Sequence, residues 1–494
     1  MLQPRAYHLP ELMVAHGLDP VSLARRAAGW LESVRTAPER SGFIKQLAAQ
    51  TRDDFTGRGR TDGFRVSLVA YSERELEKQL GLLLEMITRE PEKPFSLPSA
   101  GIFYGHGEPL GKTAFLFPGQ GAQYLGMGGP LAEAFPAAGR VWETLGALRF
   151  GGKTIREMVF PDAAADEPAA KAAFLRLSQA DWTNPCIAVV GEAIFTLLSV
   201  MGLRPDAVAA HSFGDISAFR AAGILTADEM IRATRYRGEL GVACPLATRG
   251  CVLVVPEGAE KVLAVLAANR LDQVWIANFN TPRQTVLSGV REAIDQTHAA
   301  FTAAGINSRL IPISAAPHCP LAVDVAEKFS GFLADLSFKK ANCDVYAFLF
   351  GRKVDNDPVL FRKLLKAHIE KPVRFLTQIE QMHHDGIRIF VEIGPSDILT
   401  SLVDQILAGK PHLALCTDRK KTDSVLVFLS TTAELFKEGL IRDLTVLQEG
   451  YPVAAAGSGR KNQDAGSREQ AEKRLKKLDL EIARIRSTPL ATVA

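Results

Sequence analysis

Apolar residues fall at every second position through Phe64, Val66, Leu68 and Ala70, which predicts a β-strand. Directly after it the period lengthens. Leu76, Leu80, Leu83 and Ile87 line one face of a helix, with Ser72 and Glu75 spaced as a capping box at its start. One strand and one helix cannot bury their own apolar faces, so this unit must pack on something else. Upstream, residues 1–50 read as helical, with Asp19 as N-cap and Pro20 at the first helical position. Residues 51–63, rich in Arg, Asp, Gly and Thr, read as an exposed connector.

From Thr113 the pattern becomes strand–helix alternation. Thr113 to Phe117 is a short buried strand running into the Gly-rich turn Pro118–Gln123. A helix over 185–202, a strand at Ala207 to Ala210 and a helix from Ser212 to Ala222 follow. That order predicts a parallel sheet with helices on its faces. Residues 250–313 read strand, helix, strand, strand, helix, strand, the order of a ferredoxin-like unit. Ile387 to Ile393 is a late strand of the main sheet. The predicted fold is therefore α/β: a helical segment at 1–62, a small α/β unit at 63–111, and a large parallel-sheet unit at 112–445 interrupted by the ferredoxin-like unit at 246–313. A terminal stretch, 446–494, begins with a flexible Ala/Gly/Ser-rich linker. It ends in a basic amphipathic helix with Ala471, Leu475, Leu478, Ile482 and Ile485 on one stripe. Two heptads are too few for a stable coiled coil. That helix reads either as frayed in isolation or as a docking surface for a partner.

A chain of 494 residues is expected to form two or three units. Hydrophobic residues make up 47% and charged residues 23%, ordinary values that exclude a collagenous, wholly disordered or membrane-embedded chain. The net charge of +3 is uneven. Residues 458–486 hold nine Lys/Arg against five Asp/Glu, leaving the remainder nearly neutral and without an electrostatic reason to bind nucleic acid. The six cysteines are scattered without metal-ligand spacing and read as reduced thiols. The N-terminus lacks the apolar stretch of a secretory signal. The longest apolar run, Ile187 to Leu203, is interrupted by Glu192 and falls short of a membrane span. Together these features predict a soluble, cytoplasmic protein.

Ala210-His211-Ser212-Phe213-Gly214 joins a predicted strand to a predicted helix, the context of a nucleophile elbow. Small residues at Ala210 and Gly214 allow the sharp turn. The helix start directs backbone N–H groups at developing negative charge. A serine hydroxyl needs a base, and ten histidines are available. His318 lies in a loop just after a predicted strand, where loop residues reach a sheet's functional edge. His211 should point away from the serine, and His383 and His384 sit on a polar helical stretch. Two phosphate-binding patterns fail. Gly105–Thr113 approximates a P-loop but has His106 at the first glycine position and precedes its strand. Gly119-Gln120-Gly121 has Tyr124 where a dinucleotide fingerprint needs its last glycine.

Five stretches together, Phe117–Gln123, Ala210–Asp215, Arg235–Leu240, Ala277–Gly289 and Val391–Pro395, resemble the malonyl-CoA:acyl carrier protein acyltransferase family. The likeness is nearest to the acyltransferase domains of polyketide and polyunsaturated fatty acid synthases and covers roughly residues 112–440. Residues 63–111 also resemble the linker between a ketosynthase and such a domain.

The resemblance implies an α/β-hydrolase-like large subdomain with an inserted ferredoxin-like one. It implies Ser212 as nucleophile, His318 as base, the N–H groups of Gln120 and Phe213 as oxyanion hole, and Arg237 as the clamp on the free carboxylate of the acyl unit. A planar guanidinium suits that last role because it binds a carboxylate bidentately. His211, Asn280 and His368 fall in or near the matching motifs as supporting residues. The substrates implied are malonyl-CoA and the phosphopantetheine arm of an acyl carrier protein, with no bound metal or redox cofactor. A ketosynthase is a candidate partner through the linker-like region or the tail helix, and the separate chain suggests action in trans.

The sequence departs from the family pattern in several places. Ala210 replaces the usual glycine and Asp215 the usual glutamate; Asn184 stands where Gln is usual and Cys319 where Ser often follows the histidine. His368 falls where many members carry Gln; because a backbone carbonyl nearby is expected to orient His318, the side chain at 368 is expected to matter little. The residues Ala315–His318, which differ between malonyl and methylmalonyl users, match neither common pattern, whereas Phe213 favours malonyl. An acyl hydrolase on the same fold, a methylmalonyl extender and an inactive scaffold are the alternatives.

Overall fold

The structure, a computed structural model, describes residues 9–36, 42–55, 63–161, 167–244, 250–311, 316–447 and 461–487, with the backbone alone for 461–471. Its largest sheet has six strands in the spatial order Arg352–Lys353, Asp344–Ala347, Ala207–Ala210, Lys112–Phe117, Ile387–Glu392 and Leu413–Cys416. All pairings are parallel except the edge hairpin formed by the first two. Parallel strands need cover on both faces, and the central strands alternate between two cores. Phe115, Phe117, Val208 and Ala210 join the cluster under the helix Ala180–Val200. Ala114, Leu116, Ala207 and Ala209 join the one under the helices Phe375–His384 and Ile398–Ile406.

The helix Ala180–Val200 begins five residues before its predicted start, with Pro185 inside it. Proline supplies no N–H to the carbonyl four residues back. That carbonyl, Asp181 O, instead accepts from Arg235 Nη1 at 2.7 Å. The helix is long and apolar enough to cross a membrane, yet most of it is buried within this fold. Its Glu192 pairs with Arg220 at 2.7 Å.

The ferredoxin-like unit has all six elements that its sequence rhythm predicts. Strands Val274–Thr281, Gln284–Val290, Gly250–Val255 and Arg309–Ile311 form an antiparallel sheet in that order. The helices Ala259–Ala268 and Arg291–Ala303 share a separate small core with it. The predicted ends of the insertion fall in 245–249 and 312–315, outside the described residues.

The first part of the chain differs from its prediction. Glu11–Gly17 is a strand, paired along its whole length with Phe64–Ala70. The sheet is completed by Ile102–His106 and Phe95–Leu97. It thus takes strands from both sides of residue 62, and 9–55 is not a separate helical segment. The physical reason is double-sided burial. Met13 and Ala15 face the helices Pro20–Thr36 and Glu73–Arg89, whereas Leu12 and Val14 face the large core. A strand apolar on both faces shows no alternation. Likewise the connector expected from residue 51 is still helix, Phe43–Phe55, with Thr51, Arg52 and Phe55 buried. Asp19 does act as a cap, accepting from Ser22 N at 2.8 Å. This sheet rests on the helix Ser424–Lys437 of the large unit, where Ser67 Oγ donates to Ala433 O at 2.8 Å.

The capping box is half formed. Ser72 caps Glu75 N, but the Glu75 carboxylate accepts from Tyr71 N and lies 2.7 Å from Arg474 Nε. Arg474 belongs to the terminal helix Lys461–Ser487, which packs on Glu73–Arg89 through buried Leu478 and Ile485. Surface pairs Lys78–Asp479 and Arg486–Glu85 flank the contact. The tail helix is therefore neither frayed nor open for a partner along that face: its own chain occupies it. Gly101 sits beneath, at φ +68°, where a Cβ would lie 1.9 Å from Arg474 Nη2.

Candidate active site

The strands Lys112–Phe117 and Ala207–Ala210 end side by side, and at their carboxyl ends the chain makes two tight turns. Ser212 lies in the second with φ 56°, a left-handed conformation uncommon for a residue with a Cβ. Gly214 makes the turn possible, because a Cβ there would come within 2.3 Å of Phe117 O. The helix Gly214–Ala221 begins immediately after. Among the described residues neither Phe213 N nor Gln120 N has a hydrogen-bond acceptor. Ala210, the departure from the usual glycine, is fully buried in the large core.

Ser212 Oγ and His318 Nε2 are 2.7 Å apart. The ring's other nitrogen, Nδ1, donates to Lys371 O at 3.0 Å, which leaves Nε2 bare to accept from the serine hydroxyl. His318 itself has φ 61° and its N–H donates to Ile369 O at 2.8 Å, so backbone fixes both ends of the residue. Burial, then the charges of Arg237 and His211, push its pKa from 6.5 down to about 3, and it stays neutral at ordinary pH. Cys319 is a packed thiol, donating to Ala316 O.

Arg237 comes from the helix Ala227–Ala243 and is buried, with its Cζ 6.0 Å from the Phe213 ring centre. Burial lowers its pKa to about 10, an effect that Asp215 opposes. Its Nε donates to His368 Nε2 at 2.8 Å. Among the described residues its two Nη groups have no hydrogen-bond partner, and no carboxylate lies within 4.0 Å. His368 is wholly buried, and its side chain, beyond the nearby backbone carbonyl expected to orient His318, makes a contact of its own with Arg237. Its Nδ1 lies 4.0 Å from Asp215 Oδ2, and burial holds the Asp215 carboxyl well above the usual range.

His211 turns away from the serine, as its place at the strand end predicts. Its Nε2 lies 2.9 Å from Asn280 Oδ1 and 3.0 Å from Asn278 Nδ2, so it joins the large unit to the ferredoxin-like one. Asn280 also donates to Gln284. A backbone bridge runs beside them, with Phe279 N donating to Val373 O and Val373 N to Ala277 O, both at 2.8 Å. Asn184 is buried, with its Nδ2 3.5 Å from Thr234 O. The structure thus brings Ser212, His318, Arg237 and His368 together, with Gln120 and Phe213 at the same turns and His211 and Asn280 bracing the side. Sequence reasoning left out the Asp215–His368–Arg237 chain and Asn278. A histidine among the apolar residues of Leu364–Ile369 was the available signal for the first.

The acyl transferase domain family matches residues 114–440. Polyketide synthase GfsA of Streptomyces halstedii is 30% identical over 443 residues, 87% of this chain and 6% of that protein. The chain thus spans a small fraction of that relative's length. The acyltransferase domain from module 8 of the salinomycin polyketide synthase shares the fold, with a TM-score of 0.71 over 88% of this chain and 98% of that one at 22% identity. A malonyl-transacylase solved with its type II polyketide synthase acyl-carrier protein is 26% identical, with a TM-score of 0.57 over 64% of this chain and 99% of that one. The chain therefore belongs to the acyl transferase domain family and is an acyltransferase.

Proposed function

We propose that this protein carries a malonyl group from CoA to the phosphopantetheine thiol of an acyl carrier protein through an ester on Ser212. His318 Nε2 takes the hydroxyl proton as Ser212 Oγ attacks the thioester carbon. The N–H groups of Phe213 and Gln120 receive the developing oxyanion, a term worth a few kcal/mol per donor. His318 then returns the proton to the departing CoA thiolate. In the second half the carrier's thiol gives its proton to His318 and attacks the ester; the C–O bond to Ser212 breaks, His318 returns the proton to Ser212 Oγ, and the kinetics are ping-pong. The reaction uses no group beyond the two phosphopantetheine arms.

The observation that carries this reading is Arg237: a buried cation beside the Ser212–His318 pair with, among the described residues, no carboxylate within 4.0 Å. Burying an uncompensated charge is costly, and the free carboxylate of a malonyl group would compensate it. A hydrolase of neutral acyl groups would have no use for such a cation. Phe213 beside the guanidinium favours malonyl over branched extenders, and Ala315 of the specificity stretch lies outside the described residues. Acyl carrier protein is the acceptor in this reading, and a ketosynthase docks at the N-terminal unit, whose tail-covered face is unavailable to it. Weighing the intact protein after incubation with malonyl-, methylmalonyl- and acetyl-CoA tests the donor. A malonyl adduct discharged by holo-carrier protein is the expected result, whereas discharge by water alone would favour the hydrolase.

A further inference from the structure

Arg237 is held by an unusual partner. An arginine side chain has five N–H donors and no acceptor, so the nitrogen facing its Nε must be a bare acceptor. His368 is therefore the neutral tautomer with its proton on Nδ1. That Nδ1 is a buried polar atom with no hydrogen-bond partner, and the nearest acid is Asp215, whose Oδ2 is 4.0 Å away. The ring lies near-parallel to those of Phe329 and Phe348, at centroid distances of 6.1 and 6.4 Å and interplanar angles of 21° and 24°.

We propose that His368 is a positioning residue for substrate selection: it anchors Arg237 by Nε so that both Nη groups form a preset fork for the free carboxylate of the incoming acyl group. The inference rests on reading Arg237 as that clamp. A long arginine stem has many rotamers, and fixing it beforehand removes an entropy cost from substrate binding. A carboxylate on Nε would anchor it too, but would cancel the charge that attracts the substrate. A neutral imidazole fixes the geometry and leaves the charge in place. Asp215 Oδ2 lies at the far side of the ring, 4.0 Å from that Nδ1.

Two polar substitutions separate this role from mere packing. The amide of His368→Gln reaches the place of Nε2, whereas that of His368→Asn reaches only the place of Nδ1. The experiment measures kcat and KM for loading from malonyl-CoA and acetyl-CoA in both variants and in Arg237→Leu, with melting temperatures alongside. His368→Asn should lower the malonyl-to-acetyl ratio of kcat/KM by roughly ten-fold or more, mainly through KM for malonyl-CoA. His368→Gln should restore the ratio to within about three-fold of the parent. Equal losses on both substrates, or a ratio that His368→Asn leaves unchanged while Arg237→Leu lowers it, would overturn the positioning role alone. A ratio unmoved by Arg237→Leu would remove the clamp itself. Should His368→Asn fail to fold, a His368→Gln enzyme that has lost its malonyl preference would overturn the proposal, and one that keeps it would support it.

Discussion

The N-terminal unit and the catalytic edge of the main sheet both bury arginines, and they treat them oppositely. Arg52 meets Glu11 at 3.1 Å, Arg65 donates to the carbonyls of Lys437 and Gly107, and Arg474 meets Glu75 and Val69 O. Even Arg235, two residues from the site arginine, has Asp181 O and Glu239. Among the described residues Arg237 has only an imidazole, with both Nη groups open. The contrast separates a charge buried for architecture, which is compensated in place, from one held for a visitor. Among the described residues the N-terminal unit has positive φ only at glycines, whereas the serine and histidine of the pair both have it.

Removing the hydroxyl breaks the comparison most completely. Ser212→Ala should abolish the acyl-enzyme, a loss on the order of 10³-fold or more, with the melting temperature little changed; intact-protein mass spectrometry reads it. The two kinds of arginine should then part. Arg474→Ala strands Glu75 and should cost roughly 3–5 kcal/mol of stability by urea unfolding, with loading per folded molecule preserved. Arg237→Ala strands no carboxylate in contact with it; it should cost malonyl loading about 2–5 kcal/mol in transition-state terms and stability much less. Equal destabilisation by both would erase the distinction.

Acid sharpens it further. His318 binds its proton near 6.5 when unfolded but only near 3 when folded, so the unfolded chain holds more protons between those values. Stability should rise with pH across that window, by at most ~1.4 kcal/mol per unit from this group, and fall as pH drops. His318→Asn should flatten the slope without abolishing it, because burial lowers His211 and His368 as well. The smallest effect belongs to the exposed Lys78–Asp479 pair: Lys78→Ala should cost under about 1 kcal/mol in the same unfolding assay.

Elements with a clean period were legible in the sequence. In the ferredoxin-like unit short apolar strands such as Gly250–Val255 are set off by helix and turn signals, and all six elements fall where expected. Glu11–Gly17 does not, because apolar residues serve both of its faces. The motif residues could be assigned by resemblance, yet their physical partners could not. That Lys371 supplies a carbonyl, or that His368 accepts from Arg237 131 residues away in sequence, depends on long-range geometry. The tail helix shows the same limit: its apolar stripe was visible, but not that Leu478 and Ile485 meet Glu73–Arg89 or that Arg474 pairs with Glu75.

Lys371 and Val373 stand two residues apart. The first fixes the imidazole of His318, and the second is stitched by both its N–H and its C=O to the strand Val274–Thr281. On the opposite flank His211, adjacent to the nucleophile, is moored to Asn278 and Asn280 of that same strand. The inserted unit is thus geared to serine and base alike. A shift of its strand Val274–Thr281 against the main sheet would strain hydrogen bonds that lie next to both reacting side chains.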